Sequence, residues 1–318
     1  MNLTDVQLLN AVDFRRRLDA ADATQIIEDV IRQGLDPAAD TPRSTVHLRC
    51  GHALLMPSEG AAHIGLKVAM VAEGSAAKGT PRIQATYLMF DARTLALTAI
   101  LDGSELTKLR TAAVSMAAIR PALPRIGAEA NVVVFGSGSQ AQAHLDALEL
   151  TLPHGIGTLT AVVRDISAGE KRLRDHNPRC VAFGSADLEA ALRAAHIVIT
   201  ATTAREPLFG ALQLGEDPIV VAVGSHEPGA RELPPDLLSK SRVVVEDLET
   251  SLREAGDIIL AIDDGALVPA DISGMAELIT SRAVVDDGRP YVFKSTGMAW
   301  EDLAVADAAL AMNVRGPK

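Results

Sequence analysis

The sequence predicts an α/β protein of about two domains, a doubly wound parallel sheet joined to a mixed α+β region. Three observations predict it. At 318 residues the chain exceeds one ordinary domain, and 48% hydrophobic content can fill a large core although aromatics make up only 3%. Between 45 and 101 strand-like runs follow one another without helices, whereas from 131 onward apolar strands alternate with helical segments. The second rhythm opens on Asn131-Val-Val-Val-Phe-Gly136-Ser-Gly138-Ser-Gln140-Ala141, a β-branched run that meets a glycine turn and then a helical pattern.

Taken in order, residues 4–12 read as a short helix, with Thr4 and Gln7 spaced as a capping box. A helix over 21–33 places Ile26, Ile27, Val30 and Ile31 on one face and stops at Gly34. A Pro- and Asp-rich loop over 36–42 leads to Arg43. Strands are expected at 45–49, 53–57, 63–71, 82–90 and 95–101, divided by turns such as Gly79-Thr-Pro81 and Asp91-Ala-Arg-Thr94. With no helix between them, their sheet should be antiparallel or mixed. A long helix over 104–123 carries Leu106, Leu109, Ala113, Met116 and Ala117 on one side, and Pro121 and Pro124 near its end mark a boundary. The first domain is therefore expected over 1–123. Strands at 131–135, 158–163, 179–183, 196–200, 218–223 and 242–246 build the parallel sheet of a second domain over 124–290. The run 290–294 reads as one more strand. Residues 291–318, with Ser295-Thr-Gly297 and an Ala-rich helix, read as a return to the first domain.

The turn Gly136-Ser137-Gly138-Ser139-Gln140-Ala141 is a G-x-G-x-x-A motif between strand and helix, the context in which it signals a dinucleotide site. Gly136 would permit the tight turn, Gly138 would let the backbone approach a pyrophosphate, and Ala141 would let helix and strand pack closely. The N–H groups at the helix start favour an anion. The competing reading is a close-packed βα turn without a ligand. A nicotinamide cofactor in a Rossmann domain is the expectation. At the end of the next strand Arg164 precedes Asp165. An acidic side chain there binds a ribose 2′-OH, and an arginine accepts a 2′-phosphate. Arg164 in the strand-end position favours NADP(H), with NAD(H) as the alternative.

The formal net charge of −11, without a long basic run, argues against nucleic acid or an anionic membrane as partner. No apolar stretch of about 18 residues lacks charge. The opening Met1-Asn-Leu-Thr-Asp-Val has neither the basic nor the apolar part of a secretory leader. Cys50 and Cys180 are too few and too isolated for a disulfide framework or a zinc cluster. A cytoplasmic enzyme without a metal is expected. Four side chains stand out as candidates for chemistry. Lys67, in Ile64-Gly-Leu-Lys-Val-Ala-Met-Val71, is either the exposed member of an edge strand or a cation aimed into a cavity. Arg110, in Leu106-Thr-Lys-Leu-Arg-Thr-Ala-Ala113, is either a surface arginine or one that fills the space its small neighbours leave. Arg43 follows Pro42 at a loop end, where ordinary solvent exposure is the alternative. His226, in Val223-Gly-Ser-His-Glu-Pro-Gly229, lies just past an apolar strand, where parallel sheets place ligand-contacting loops; a structural turn histidine is the other reading.

Together, Leu55-Met-Pro57, Gly65-Leu-Lys67, Leu106-Thr-x-Leu-Arg-Thr-Ala-Ala113, Gly136-Ser-Gly-x-Gln-Ala141, Val223-Gly-Ser-His-x-Pro228 with Arg231-Glu-Leu233, and Phe293-Lys-Ser-x-Gly297 with Glu301-Asp302 resemble the ornithine cyclodeaminase/μ-crystallin family. The resemblance covers the chain from about residue 40 to 305. It implies a Rossmann domain inserted into a substrate-binding and dimerisation domain, and a homodimer. It also implies that Arg43, Lys67 and Arg110 surround a substrate α-carboxylate, as guanidinium and ammonium chemistry would allow. His226 is the fourth catalytic candidate. Thr111, Ser137, Ser139, Gln140, Thr202, Gly224 and Thr296 are expected to join Gly136, Gly138 and Arg164 around the cofactor. Cyclodeaminases of the family carry an Asp where this chain has His226, and a Glu before Met-Pro at the position of Leu54. Both departures remove anionic partners that a diamino acid would need. The His226 loop is instead similar to that of reductases for Δ1-pyrroline-2-carboxylate and Δ1-piperideine-2-carboxylate. The expected function is NAD(P)H-dependent reduction of such a cyclic ketimine to L-proline or L-pipecolate, with Lys67 or His226 supplying or orienting the proton. The alternatives are L-alanine or another amino-acid dehydrogenase, an ornithine cyclodeaminase, and a non-catalytic binding protein. Intact Lys67 and Arg110 weigh against the last, because a packing protein has no need of buried cations.

Overall fold

The computed structural model describes residues 3–72, 81 and 83–312. Contacts divide the chain into two compact units, Met1–Thr111 with Met298–Lys318, and Ala112–Gly297. These boundaries fall at 111/112 and 297/298, where sequence composition suggested 123/124 and 290/291.

The first unit is built on a six-stranded sheet of β1 (Gln7–Leu9), β2 (Ser44–Leu48), β3 (Gly51–Glu59), β4 (His63–Ala72), β5 (Ile83–Asp91) and β6 (Leu97–Asp102), in the order β1-β6-β5-β4-β3-β2. β2 to β6 pair antiparallel in succession, and β1 joins β6 in parallel, so the sheet is mixed. β4 has the period-2 pattern of a strand covered on one face: Gly65, Lys67, Ala69 and Val71 are buried and the residues between them are less so. The helix Ala299–Ala311 packs on β3 and β4 and on the helix Ala20–Arg32. The latter starts one residue before its expected position, because Asp19 and Asp22 form a capping box.

Two expectations for this unit need correction or restriction. Residues 4–12 do not form one helix. A 3-10 turn, Leu3–Asp5, is followed by β1 and by the helix Ala11–Arg17, whose N-cap Asn10 accepts from Val12 N and Asp13 N. The Thr4–Gln7 spacing loses because Gln7 to Leu9 find ladder partners in Ala99 to Leu101 of β6. The turn Gly79-Thr-Pro81 lies outside the described residues except for Pro81, as do Arg82, the first residue of the expected fourth strand, and Met1 and Asn2 of the opening segment.

The second unit holds eight strands: β7 (Ala130–Phe135), β8 (Ile156–Val163), β9 (Arg179–Ala182), β10 (Ile197–Thr200), β11 (Ile219–Ala222), β12 (Arg242–Val245), β13 (Ile272–Gly274) and β14 (Tyr291–Lys294). Their order is β13-β12-β14-β11-β10-β7-β8-β9, and every adjacent pair is parallel. All six expected strands are present. β8 and β9 run outward from one side of β7, and β10 and β11 from the other, so the winding reverses between β7 and β10. β14 was read as opening the C-terminal return, but it sits between β11 and β12 instead. Its four residues are buried and pair on both sides, and Tyr291 Oη donates to Ala118 O at 2.6 Å. Burying apolar side chains such as Val292 and Phe293 contributes roughly 1.5–3 kcal/mol each, enough to hold a short strand in the middle of a sheet. The long helix Gly103–Ile119 gives way to a 3-10 segment, Arg120–Arg125, where Pro121 and Pro124 cannot continue the α-helical ladder. Residues 112–119 are buried on every side, so the expected one-sided stripe is not seen there. No helix among the described residues is long and apolar enough to cross a membrane.

Candidate active site

In the first unit the sheet register assembles a row of side chains. Met56 of β3 opposes Lys67 of β4, Lys67 opposes Tyr87 of β5, and Tyr87 opposes Leu101 of β6. Directly opposed residues project from the same face, and all four are buried. Ser44 opposes Leu55, which places half-buried Arg43 at the register position beside Met56. Lys67 is therefore a mid-sheet cation, only 2% exposed. Arg110, on the helix Gly103–Ile119, is also buried.

Two acids that the sequence reading gave no role complete the cluster. Lys67 Nζ donates to Asp302 Oδ2 at 2.6 Å. Arg110 Nη1 donates to Glu301 Oε2, and its Nε lies 3.2 Å from Asp302 Oδ1. Both acids are fully buried in the first turn of the helix Ala299–Ala311, an end whose dipole favours negative charge. That helix end is held from a distance. Met298 gives it no side-chain cap, and Asp40 Oδ2 accepts from Ala299 N at 2.7 Å and Trp300 N at 3.0 Å, while Asp40 Oδ1 accepts from Ser58 Oγ at 3.1 Å. Burial raises the Asp40 pKa, and these hydrogen bonds oppose it.

Burial lowers Lys67 to about 8, with the charge of Arg110 and, less strongly, Arg43 acting in the same direction and Asp302 against it. The three sequence candidates are thus within electrostatic reach of one another. Buried Lys67 and Arg110, with half-buried Arg43, gather ammonium and guanidinium groups in one place, the chemistry that recognises a carboxylate. Two further carboxylates lie near the row: Asp40 caps the helix, and Asp307 Oδ1 bonds His63 Nδ1 at 2.8 Å. The Tyr87 hydroxyl is buried and has no hydrogen-bond partner among the described residues. Burial first, then Asp302, Asp307 and Asp40, hold its pKa well above the ordinary tyrosine value. Gly65 makes room for it, since a Cβ there would sit 1.8 Å from the Tyr87 oxygen.

The second unit contains the glycine turn. Gly136 has φ +107°, and a Cβ there would lie 2.6 Å from Ala201 O, so neither conformation nor space admits another residue. A Cβ on Gly138 would meet nothing within 4 Å, which leaves the backbone open to a ligand. Gly138 is also the N-cap of the helix Ser139–Thr151 and provides no side-chain cap. The start of that helix, with Ser137, Ser139 and Gln140, could hold a pyrophosphate. Ala141 is fully buried, as close helix–strand packing requires. At the end of β8, Arg164 is exposed and Asp165 is committed as an N-cap, accepting from Ala168 N at 3.0 Å.

The loops that follow β10, β11 and β14 carry the remaining candidates. Thr202 and Gly224 both bond to buried Glu232, and Thr296 N donates to buried Glu246 at 2.9 Å. Glu246 also receives Ser295 Oγ at 2.6 Å and Gly297 N at 3.1 Å. His226 is half-buried in the loop after β11, beside Ser225, whose carbonyl accepts from Lys294 Nζ at 2.6 Å. Thr111 belongs to the first unit, and its hydroxyl donates to Thr107 O at 2.7 Å. The sequence reading assigned no role to Tyr87, Asp40, Glu232 or Glu246. Alternation along β5 marks the face Tyr87 shares but not its register with Lys67; Glu232 lies in the Arg231-Glu-Leu233 run, and no local pattern points to Asp40 or Glu246. Among the described residues, no group of three His, Cys, Asp or Glu is placed to hold a metal ion.

Comparison with known proteins adds the following. The model of the ornithine cyclodeaminase/mu-crystallin family matches residues 3–311. The chain is 31% identical over 273 residues to Delta(1)-pyrroline-2-carboxylate reductase 2 of Burkholderia ambifaria, covering 84% of this chain and 83% of that one. It is 32% identical over 277 residues to a Delta(1)-pyrroline-2-carboxylate/Delta(1)-piperideine-2-carboxylate reductase of Azospirillum brasilense, again covering 84% and 83%. Its fold is similar to that of Thermococcus litoralis Delta(1)-pyrroline-2-carboxylate reductase in complex with NADH and L-proline, with a TM-score of 0.84 and 26% identity over 96% of this chain and 97% of that one.

Proposed function

The chain belongs to the ornithine cyclodeaminase/mu-crystallin family, and we propose that this oxidoreductase reduces a cyclic ketimino acid, Δ1-pyrroline-2-carboxylate or Δ1-piperideine-2-carboxylate, to L-proline or L-pipecolate, with NADP(H) preferred over NAD(H). The observation that carries the reading is the cluster of buried Lys67 and Arg110, held by Asp302 and Glu301 and joined by half-buried Arg43, whose ammonium and guanidinium groups suit a substrate carboxylate. The named relatives and the complex with NADH and L-proline support the same substrate class. Exposed Arg164 beside a capping Asp165 supports the preference for a 2′-phosphate.

The nicotinamide, when bound, supplies hydride to the imine carbon. Everything else falls to the chain. Arg110, fixed by Glu301, grips the substrate carboxylate, and Arg43 adds a second cation to the clamp. Lys67 transfers a proton from Nζ to the imine nitrogen, which makes the adjacent carbon electrophilic; solvent later returns the proton. Asp302 orients Nζ for that transfer. Met56 and Leu101 keep the row dry and strengthen each charge interaction. Leu54 shares the Met56 face of β3, two residues away, and offers no carboxylate to a distal ammonium group. Glu301 and Asp302 are already engaged by Arg110 and Lys67. For these reasons cyclodeamination of a diamino acid is disfavoured.

The test is a substrate panel. NADPH and NADH oxidation is followed with both cyclic imines and with pyruvate plus ammonia, and ammonia release is followed from L-ornithine with NAD. Rapid oxidation with at least one cyclic imine, and little or no ammonia from ornithine, is expected. Fast ammonia release with neither imine reduced would overturn the proposal, as would activity confined to pyruvate.

A further inference from the structure

The ends of β10 and β11 are fastened together by a carboxylate that the proposed chemistry does not use. Glu232 is fully buried. Its Oε1 accepts from Thr202 N at 2.9 Å and from Thr202 Oγ1 at 2.6 Å, and its Oε2 accepts from Thr200 Oγ1 and Gly224 N, each at 2.9 Å. Four donors from the ends of two adjacent strands thus saturate both oxygens. Gly224 admits no side chain, because a Cβ would lie 2.3 Å from Thr202 O and 2.4 Å from Glu232 Oε1. The carboxylate is itself held from behind. Glu232 N and Leu233 N donate to Asp257 Oδ1 at 2.7 and 2.8 Å, and Asp257 Oδ2 lies 2.9 Å from Lys294 Nζ. Lys294 in turn donates to Ser225 O, one residue before His226, at 2.6 Å. Glu232, Asp257 and Lys294 are all 0% exposed. Burying such groups is costly unless they are paired or fully hydrogen-bonded; Asp257 and Lys294 form an ion pair, and Glu232 accepts four hydrogen bonds.

We infer that Glu232 is a positioning residue for the dinucleotide, fixing the two loops that begin at Thr202 and Gly224. The inference rests on the reading of this unit as a nicotinamide dinucleotide site. In a doubly wound sheet the ligand lies outside the carboxyl ends of the strands at the point where the winding reverses. Here that point lies between β7 and β10, and Glu232 ties β10 to its neighbour β11. The Thr202 proton is committed to Glu232, and Thr202 Oγ1 also accepts from Ala204 N at 3.0 Å. What Thr202 and Gly224 offer a ligand is therefore backbone in a fixed place. Only a carboxylate can hold them there, since each of its oxygens takes two donors. A glutamine would turn an NH2 group toward one pair of them.

The test measures NADPH and NADH binding by fluorescence titration of the full chain, as wild type, Glu232→Gln, Thr202→Val and the double variant. Thermal unfolding and steady-state kinetics with a cyclic imine accompany the titrations. Glu232→Gln is expected to raise the dinucleotide Kd and KM at least about tenfold and to lower Tm, because buried donors lose their acceptor, while kcat at saturating dinucleotide and imine KM stay close to wild type. Thr202→Val should raise Kd about threefold alone and add nothing in the Glu232→Gln background, because its effect runs through the same carboxylate. An unchanged Kd in folded Glu232→Gln overturns the inference. So does a loss of Tm and kcat with Kd unchanged, the signature of a purely structural carboxylate. If Glu232→Gln does not fold, an unchanged Kd in Thr202→Val overturns it instead. A wild-type chain that binds neither dinucleotide marks a different failure, that of the functional reading itself.

Discussion

Lys67 is placed where its charge can change within an enzyme's working range. Burial and Arg110 favour its neutral form and bring it to about 8. Below that pH it is cationic and can give up a proton; above it, it cannot. The kcat/KM for imine reduction is therefore expected to fall above about pH 8 along a single deprotonation limb, approaching tenfold per pH unit. The limb should persist in His226→Asn and disappear in Lys67→Arg, which stays charged and retains little activity. The reverse pattern would give the proton to His226. Arg110→Lys keeps the charge but loses the planar fork that meets Glu301 and a substrate carboxylate, so catalytic efficiency should drop by about two orders of magnitude or more. Near-wild-type turnover would remove Arg110 from the clamp. Tyr87→Phe deletes a buried hydroxyl that has no partner among the described residues. It should leave stability unchanged or raise it by about 1 kcal/mol in a denaturant titration, and a loss of that size would reveal a hydrogen bond. Arg43 lies in no short motif, and its role came only with the resemblance; Lys67 and Arg110 were legible because each lies in one. Their acidic partners were not, because Arg110 meets Glu301 across 191 residues and Lys67 meets Asp302 across 235.

Among the elements, the strand–turn–helix of β7 and Ser139–Thr151 was fully legible, since every part of its signal lies within a few consecutive residues. β14 was legible as a strand but not in its place, and β1 was missed, because distant partners decide both: β11 and β12 for β14, and β6 for β1. The helix Ser139–Thr151 also carries a buried histidine with a defined tautomer. His144 Nδ1 donates to Gln140 O at 2.8 Å, which leaves Nε2 to accept from Ser115 Oγ at 2.9 Å. Burial lowers its pKa to about 4, against the weaker opposing effect of the Gln140 bond. A histidine depressed from 6.5 to about 4 contributes stability that is present above 6.5 and lost as pH falls toward 4. Thermal unfolding should therefore shift downward over that window in the wild type and less in His144→Gln; parallel pH profiles would contradict the assignment. At the end of β8, Arg164→Ala should weaken NADPH by roughly 1.5–3 kcal/mol and NADH much less, the range for a charged hydrogen bond. Equal losses in the two titrations would end the case for a 2′-phosphate partner.

For the whole molecule, the change in rhythm between consecutive strands and βα alternation was enough to indicate two architectures. Their seams were not legible, because one lies within the continuous helix Gly103–Ile119 and the other just after β14, where no Pro- or Gly-rich linker marks it. The edge strand β2 is exposed along its length and displays Val46 and Leu48, and Val46 shares a cross-strand row with exposed Met70. An apolar edge of this kind calls for cover. With the family resemblance it supports a homodimer that light scattering should detect and that Val46→Lys should weaken; a wild-type monomer at micromolar concentration would contradict it. The central claim is that hydride reaches the α-carbon of a closed imine ring whose carboxylate the cations of the first unit hold. Its most direct test is a reaction of the cyclic imine with NADPH deuterated at the transferable position, followed by mass spectrometry and chiral analysis of the product. The account predicts L-proline or L-pipecolate with one deuterium at Cα for each cofactor oxidised. Cofactor oxidation without label at Cα, or no cyclic amino acid product at all, would contradict it.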